Sequence, residues 1–291
     1  MTEGLVDEQS RQQAIYLYDR FTHDGMERRA FMAEMVKLAG SLAAAELLIS
    51  GIAASPASAA IVAPDDHRIF TRIDKLVGGY NAYVAEPRTR SLKATVIVVH
   101  ENRGLNDHIR DVTRRVAVEG FRAVAPDMLS LSGGTPANED AARSAIEKLD
   151  VGKAVDDAVG FVGELKKSSR GGKIGVVGFC WGGAFVNRLA VAAGDKLNAA
   201  VPYYGPAPNP SEAPKVQAAM LIQDAGLDDR VNSTSFPWVK ALRANKKKVT
   251  FQLYDGVNHA FNNDTSAERY NKEAADLAWK RTIAFFKRNL A

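Results

Sequence analysis

One cysteine in 291 residues excludes an internal disulfide, so cysteine usage does not name the compartment. Charge of either sign is not in excess. The 38 Lys and Arg residues against 34 Asp and Glu leave +4, too mild for a nucleic-acid-binding surface. The chain lacks a zinc-ligand spacing, a phosphate-binding P-loop and an RNA-binding signature, so neither a metal nor an organic cofactor is expected. A long hydrophobic run is missing too. The Ala-, Leu- and Gly-rich stretch from Val36 to Ala54 is interrupted by Lys37 and Glu46, and no stable membrane anchor is expected from it. Histidine is scarce, with five residues to supply any imidazole base. What is present is an ordinary globular composition, 46% hydrophobic and 25% charged. It suits one large α/β domain, placed at 61–291, behind an N-terminal extension, 1–60.

The extension holds Glu27-Arg28-Arg29-Ala30-Phe31-Met32, a twin-arginine pair before a large apolar residue, and it closes on Pro56-Ala57-Ser58-Ala59-Ala60, small residues of cleavage-site type. Together these resemble a twin-arginine (Tat) export signal, with a periplasmic location as the expectation and a cytoplasmic one if it is not used. Lys37 and Glu46 oppose that reading. Its competitor is an amphipathic helix over 27–50 packed on the domain or on a partner subunit.

After Pro64 strands and helices alternate to the end. Ile69–Lys75 and Gly79–Ala85 read as an opening pair of strands, and Thr95–His100 as a buried central strand. Further strands are expected at 121–125, 173–178, 199–204, 218–223 and 249–254, with helices between them. Lys246-Lys247-Lys248 reads as a solvated turn before the last strand. Such alternation predicts a mainly parallel twisted sheet with helices on both faces and a site beyond the carboxyl ends of its strands.

At one such end lies Ile174-Gly175-Val176-Val177-Gly178-Phe179-Cys180-Trp181-Gly182-Gly183-Ala184. A strand enters a Gly-x-Cys-x-Gly turn and a helix leaves it. This is the pattern of a nucleophile elbow with cysteine as the nucleophile, although a cofactor-binding turn has similar glycines. At a helix N-terminus the sulfur would be favoured as thiolate. After strand 249–254 comes Asp255-Gly256-Val257-Asn258-His259-Ala260-Phe261, which makes His259 the candidate base. Of the other histidines, His23 and His67 fall outside the expected core, His108 is expected on an exposed helix face, and His100 ends a central strand. After strand 218–223 comes Asp224-Ala225-Gly226-Leu227-Asp228-Asp229-Arg230. Asp228 is the first candidate to orient the imidazole, with Asp229 and Asp224 as alternatives. Nucleophile, acid and base then follow the chain order of α/β-hydrolases.

These segments, with Tyr203-Tyr204-Gly205 and His100-Glu101-Asn102-Arg103-Gly104, resemble the dienelactone hydrolases (carboxymethylenebutenolidases), over roughly 68–290. The resemblance implies an α/β-hydrolase fold and a Cys180–His259–Asp228 triad. It also implies that Glu101 contacts the resting thiol and controls its ionisation. The backbone N–H groups of Trp181 and Asn102 are expected to form the oxyanion hole, and Arg103, Tyr204 and Phe261 to meet the substrate. The family's two carboxylate-binding arginines are missing: one stretch reads Pro126-Asp127-Met128-Leu129-Ser130-Leu131, and the other position is Asn263. Arg103 or Arg230 could substitute. The expectation is a hydrolase of small-molecule esters or lactones with an altered pocket. Its rivals are a thioesterase or peptidase on the same triad and a non-catalytic binder on a hydrolase scaffold.

Overall fold

The run Ala94-Thr95-Val96-Ile97-Val98-Val99 has no polar face to turn outward, and it forms strand β3, buried along its whole length. Val96 and Val98 enter the apolar layer on one side of the sheet, while Ile97 and Val99 enter the layer on the other. A strand covered on both faces reads as a continuous β-branched run for this reason. The structure, a computed structural model, describes residues 7–53, 60–89, 94–168 and 172–291.

The other strands are β1 (Ile69–Lys75), β2 (Asn81–Pro87), β4 (Arg122–Pro126), β5 (Lys173–Phe179), β6 (Ala199–Tyr203), β7 (Ala219–Ala225) and β8 (Val249–Tyr254). They form an 8-stranded sheet in the order β1-β2-β4-β3-β5-β6-β7-β8. From β4 to β8 every pairing is parallel; β1 and β2 join antiparallel at one edge. Helices α4 (Asp107–Val118), α5 (Glu139–Glu147), α6 (Val151–Ser168), α7 (Trp181–Ala192), α8 (Asp229–Ala244) and α9 (Lys272–Leu290) cover the sheet. Their starts follow side-chain chemistry. Asn106, Asn138, Asp228 and Asn271 each accept a hydrogen bond from an N–H of the first turn, at α4, α5, α8 and α9 respectively. The expected alternation is therefore present, with boundaries shifted by a few residues.

The N-terminal region differs from expectation. Instead of one helix over 27–50 there are three: α1 (Glu8–His23), α2 (Arg28–Ala39) and α3 (Leu42–Ile52). Gly40, in the left-handed region at φ 79°, ends α2, and Ser41 caps α3, so the two helices meet at a bend of 106°. No single helix among the described residues is long and apolar enough to cross a membrane. Ala14, Ile15, Tyr18, Phe31, Met35 and Ile52 form a separate small core inside the bundle. The twin-arginine pair lies at the start of α2, where Arg28 pairs with Asp140 at 2.8 Å. The small-residue stretch 56–59 lies outside the described residues.

Candidate active site

Six residues of strand lead β5 to Phe179, and the chain must reverse within one residue to begin α7 at Trp181. Cys180 makes that reversal at φ 55° and ψ −116°, a conformation that L-residues rarely adopt. The turn is held because its neighbours carry no side chain. A Cβ on Gly178 would lie 2.3 Å from the carbonyl oxygen of Gly182, and one on Gly182 would lie 2.5 Å from the carbonyl oxygens of Val99 and His100. The Cys180 N–H donates to the Tyr203 carbonyl at 3.1 Å, tying the elbow to β6. Trp181 follows as the first residue of α7, so its N–H has no partner within the helix.

The acid and the base arrive from the next two strands. Asp228 follows β7, caps α8 through Val231, and accepts a 2.5 Å hydrogen bond from His259 Nδ1. Of the alternatives, Asp229 is exposed at the start of α8 and Asp224 makes no contact with the imidazole, so Asp228 holds the acid's place. His259 Nε2 is buried without a hydrogen-bond partner and lies within 4.8 Å of the Cys180 sulfur. Burial opposes charge on His259, yet the Asp228 carboxylate and the Cys180 sulfur outweigh it and raise the imidazole to about 10. Burial likewise works against the Asp228 carboxylate, and the attraction of His259 prevails to hold its pKa below the ordinary value. The Asp228 carboxylate thus favours a charged imidazole facing the Cys180 sulfur.

Glu101, at the turn after β3, is buried with one carboxylate oxygen accepting from the Asn263 amide at 2.8 Å and the other without a partner. Asn263 stands where the expected arginine is missing, so here that position holds Glu101. The thiol's hydrogen-bond partner is not Glu101. It is His23, the last residue of α1, whose Nε2 lies 3.7 Å from the sulfur and whose ring packs edge-on against His259 with centroids 5.0 Å apart. His23 does lie outside the apolar core, only half-buried, but its contact with the sulfur departs from expectation. No local pattern announces the contact: the apolar spacing of Ala14, Ile15 and Tyr18 shows that α1 has a buried face, not what that face meets.

Other expected residues fall elsewhere. Arg103 is not free for substrate; it pairs with Glu139 at 3.0 Å and donates to the Tyr18 hydroxyl at 2.6 Å, fastening α1 to the domain. Phe261 is fully buried among Tyr203, Tyr204 and Tyr254 and belongs to the core. Tyr204, held at φ 36°, is also buried and packs its ring 5.0 Å from His259, steadying the base rather than lining the cleft. His108, expected to be exposed, is buried with Nδ1 3.0 Å from Asp264. His100 is buried and structural, accepting from the Met128 N–H while its ring stacks on Trp181.

A cleft of about 260 Å³ opens over the sulfur, lined by Cys180, Trp181 and Asn102 from the domain and by Thr22 and His23 from α1. Arg143 and Arg230 also reach it. Arg143 is stacked on the Phe21 ring, whereas the Arg230 side chain makes no ion pair or hydrogen bond with the described residues. Larger clefts elsewhere lack a nucleophile beside a base. Among the described residues, Cys180, His23 and His259 also form the one group able to offer three metal-ligand atoms, a soft set of the kind that suits zinc or copper.

Below the triad, Asp224 is buried with neither carboxylate oxygen hydrogen-bonded. Desolvation, reinforced by the nearby Asp228 charge, raises it to about 7. The folded protein therefore holds a proton there that the unfolded chain releases near pH 4, and stability falls as pH rises from about 4 to about 7. Replacing Asp224 by Asn is expected to stabilise the protein above pH 7 by a few kcal/mol, on the order of the pKa difference. Urea melts at pH 5 and pH 8 test this. The advantage of the variant must be larger at pH 8, and an equal difference at both would show that Asp224 is ionised throughout.

Comparison with known proteins identifies the family and the fold. The model of the dienelactone hydrolase family matches residues 80–290. A protein of Escherichia coli O157:H7 named "Putative carboxymethylenebutenolidase" is 33% identical over 258 residues, covering 81% of this chain and 93% of its own length. One of the same name from Saccharolobus solfataricus is 31% identical over 245 residues, covering 71% and 93%. A crystal structure described as a putative dienelactone hydrolase, from Klebsiella pneumoniae, superposes with a TM-score of 0.66 at 27% identity, covering 76% of this chain and 99% of that one. With its parallel sheet, its cysteine elbow and these relatives, the chain belongs to the dienelactone hydrolase family of α/β-hydrolase-fold hydrolases.

Proposed function

We propose that the protein hydrolyses small esters or lactones through a Cys180–His259–Asp228 triad. The observation that carries this reading is the strained Cys180 at the elbow beside an imidazole whose Nδ1 is bonded to Asp228 and whose Nε2 is unpartnered. The thiolate attacks the ester carbonyl carbon, and the oxyanion forms where the N–H groups of Trp181 and Asn102 can meet it. The imidazolium of His259 gives its proton to the leaving oxygen and the C–O bond breaks. His259, now neutral, takes a proton from water as the water attacks the thioester, and the acid product leaves with the thiolate restored. Asp228 keeps the imidazole in orientation through both half-reactions.

The size of the cleft favours short acyl groups, and the unpaired Arg230 favours a substrate with a negative charge a few ångströms from its carbonyl. Arg230 would thus take over from the two arginines missing here. Because Cys180 is the only cysteine, alkylation offers a direct test. Hydrolysis across a panel of esters and lactones is expected to fall in proportion to the fraction of thiol blocked by iodoacetamide. Full activity in the fully alkylated protein would remove Cys180 as the nucleophile. A panel in which thioesters or peptides alone are cleaved would transfer the triad to that chemistry.

A further inference from the structure

The family model matches from residue 80, so α1, α2 and α3 lie ahead of the part it describes. They are not loosely attached. Gln12 exchanges amide hydrogen bonds with Asn258, the neighbour of the base, at 2.5 and 3.2 Å. Arg11 pairs with Glu268, and Asp19 pairs with Arg269. Ser266 donates to the carbonyl of Ile52, and Tyr18 receives the Arg103 guanidinium. Every one of these contacts falls on the loops that carry the catalytic groups, and the net result is to deliver His23 onto the sulfur.

We propose that residues 7–53 are a permanent cap of the active site and that His23 is a positioning residue, its Nε2–H donating to the Cys180 thiolate from beside His259. The role deepens the proposed triad and rests on it. Geometry supplies the main support: the 3.7 Å contact, the edge-on packing of the two imidazoles, and the place of His23 in the wall of the substrate cleft. The charges around the sulfur agree. Desolvation, aided by repulsion from His259, Arg230, Arg269 and Arg143, holds His23 well below the usual imidazole range, so it stays neutral. A neutral imidazole is an N–H donor without a second positive charge, which the site already has in His259. The acidic groups nearby have other partners: Asp19 is bonded to Arg269, Asp228 to His259, Glu101 to Asn263, and Glu147 faces Arg143.

A donor lost from a thiolate leaves it more basic. In His23→Ala, the pH midpoint of Cys180 alkylation by iodoacetamide is expected to rise by about 1 unit, and kcat/KM for a good ester to fall at least tenfold. His23→Gln places an amide N–H near the lost Nε2–H and is expected to recover most of both. An unchanged alkylation profile in His23→Ala overturns the role and leaves His23 as a wall of the cleft. If that variant fails to fold, the comparison passes to His23→Gln and His23→Leu, which fill the same space with and without a donor; equal midpoints in the two again overturn the proposal. The alkylation profile does not depend on turnover, so a failure of the hydrolase reading, seen as absent thiol-dependent hydrolysis in the wild type, is separable from a failure of His23. The mass of the mature protein from its native cell completes the test. A chain retaining residue 23 supports the cap, whereas cleavage near residue 60, as the export reading proposes, removes His23 and overturns it.

Discussion

Replacing Asp228 by Asn is expected to lower kcat/KM by about 10³- to 10⁴-fold while leaving the fold intact. The substitution preserves shape, and Asn caps a helix as well as Asp does, so the Val231 N–H keeps an acceptor and α8 keeps its start. What is lost is the negative charge 2.5 Å from His259 Nδ1. That charge is what overcomes burial and holds the imidazole near 10; without it the buried ring drops toward neutrality and can no longer balance a thiolate. An Asn amide also offers donors to Nδ1, which stabilises the wrong tautomer and leaves a proton on Nε2 where an acceptor is needed. Steady-state kinetics together with a urea melt separate the two effects. A variant within tenfold of wild type would mean that another group orients the base; a variant that melts much earlier would mean that the Asp228–His259 pair also holds the fold.

The second large effect is structural. Gly178→Ala is expected to cost more than about 4 kcal/mol and to leave little soluble protein, because the new methyl meets the Gly182 carbonyl oxygen at 2.3 Å and its carbon at 2.6 Å. Both are backbone atoms at the start of α7, and α7 cannot retreat without opening its seat between β5 and β6. Gly160→Ala is the matched control. It lies in α6 with nothing nearer than 3.9 Å to an added methyl, and alanine in a helix interior should gain up to about 1 kcal/mol. Thermal midpoints of the two variants measure the contrast. Equal stability would mean that the elbow can relax in a way its packing gives no room for.

Much of this architecture could be read along the chain because its signals are local. The run at 94–99 has to be a doubly covered strand, and Cys180, Asp228 and His259 each follow a strand directly, so the topology alone carries them to one edge. The outcome was different wherever a side chain's role depends on a distant partner. Arg103 has the charge and the position of a substrate ligand, but Tyr18 and Glu139 claim it. Phe261 follows the base by two residues and still turns into an aromatic core. Glu101 was placed correctly after β3, and only the fold shows Asn263, 162 positions later, as the group it meets. His23 is the extreme case, since 157 positions separate it from Cys180 and nothing in its own helix identifies the sulfur.

Those separations have a kinetic meaning. The amide pair joining α1 to the loop of His259 closes a span of 246 positions, and the Arg269–Asp19 contact one of 250. Ordering contacts across so much chain is entropically expensive early in folding and cheap only when the intervening sheet already stands. The bundle is synthesised ahead of the strands it docks on and finds its seat only after β8 and the loops around it are in place. Until then the sulfur has one imidazole fewer and an open face, so the strained turn is built first and its cleft is completed only at the final docking step.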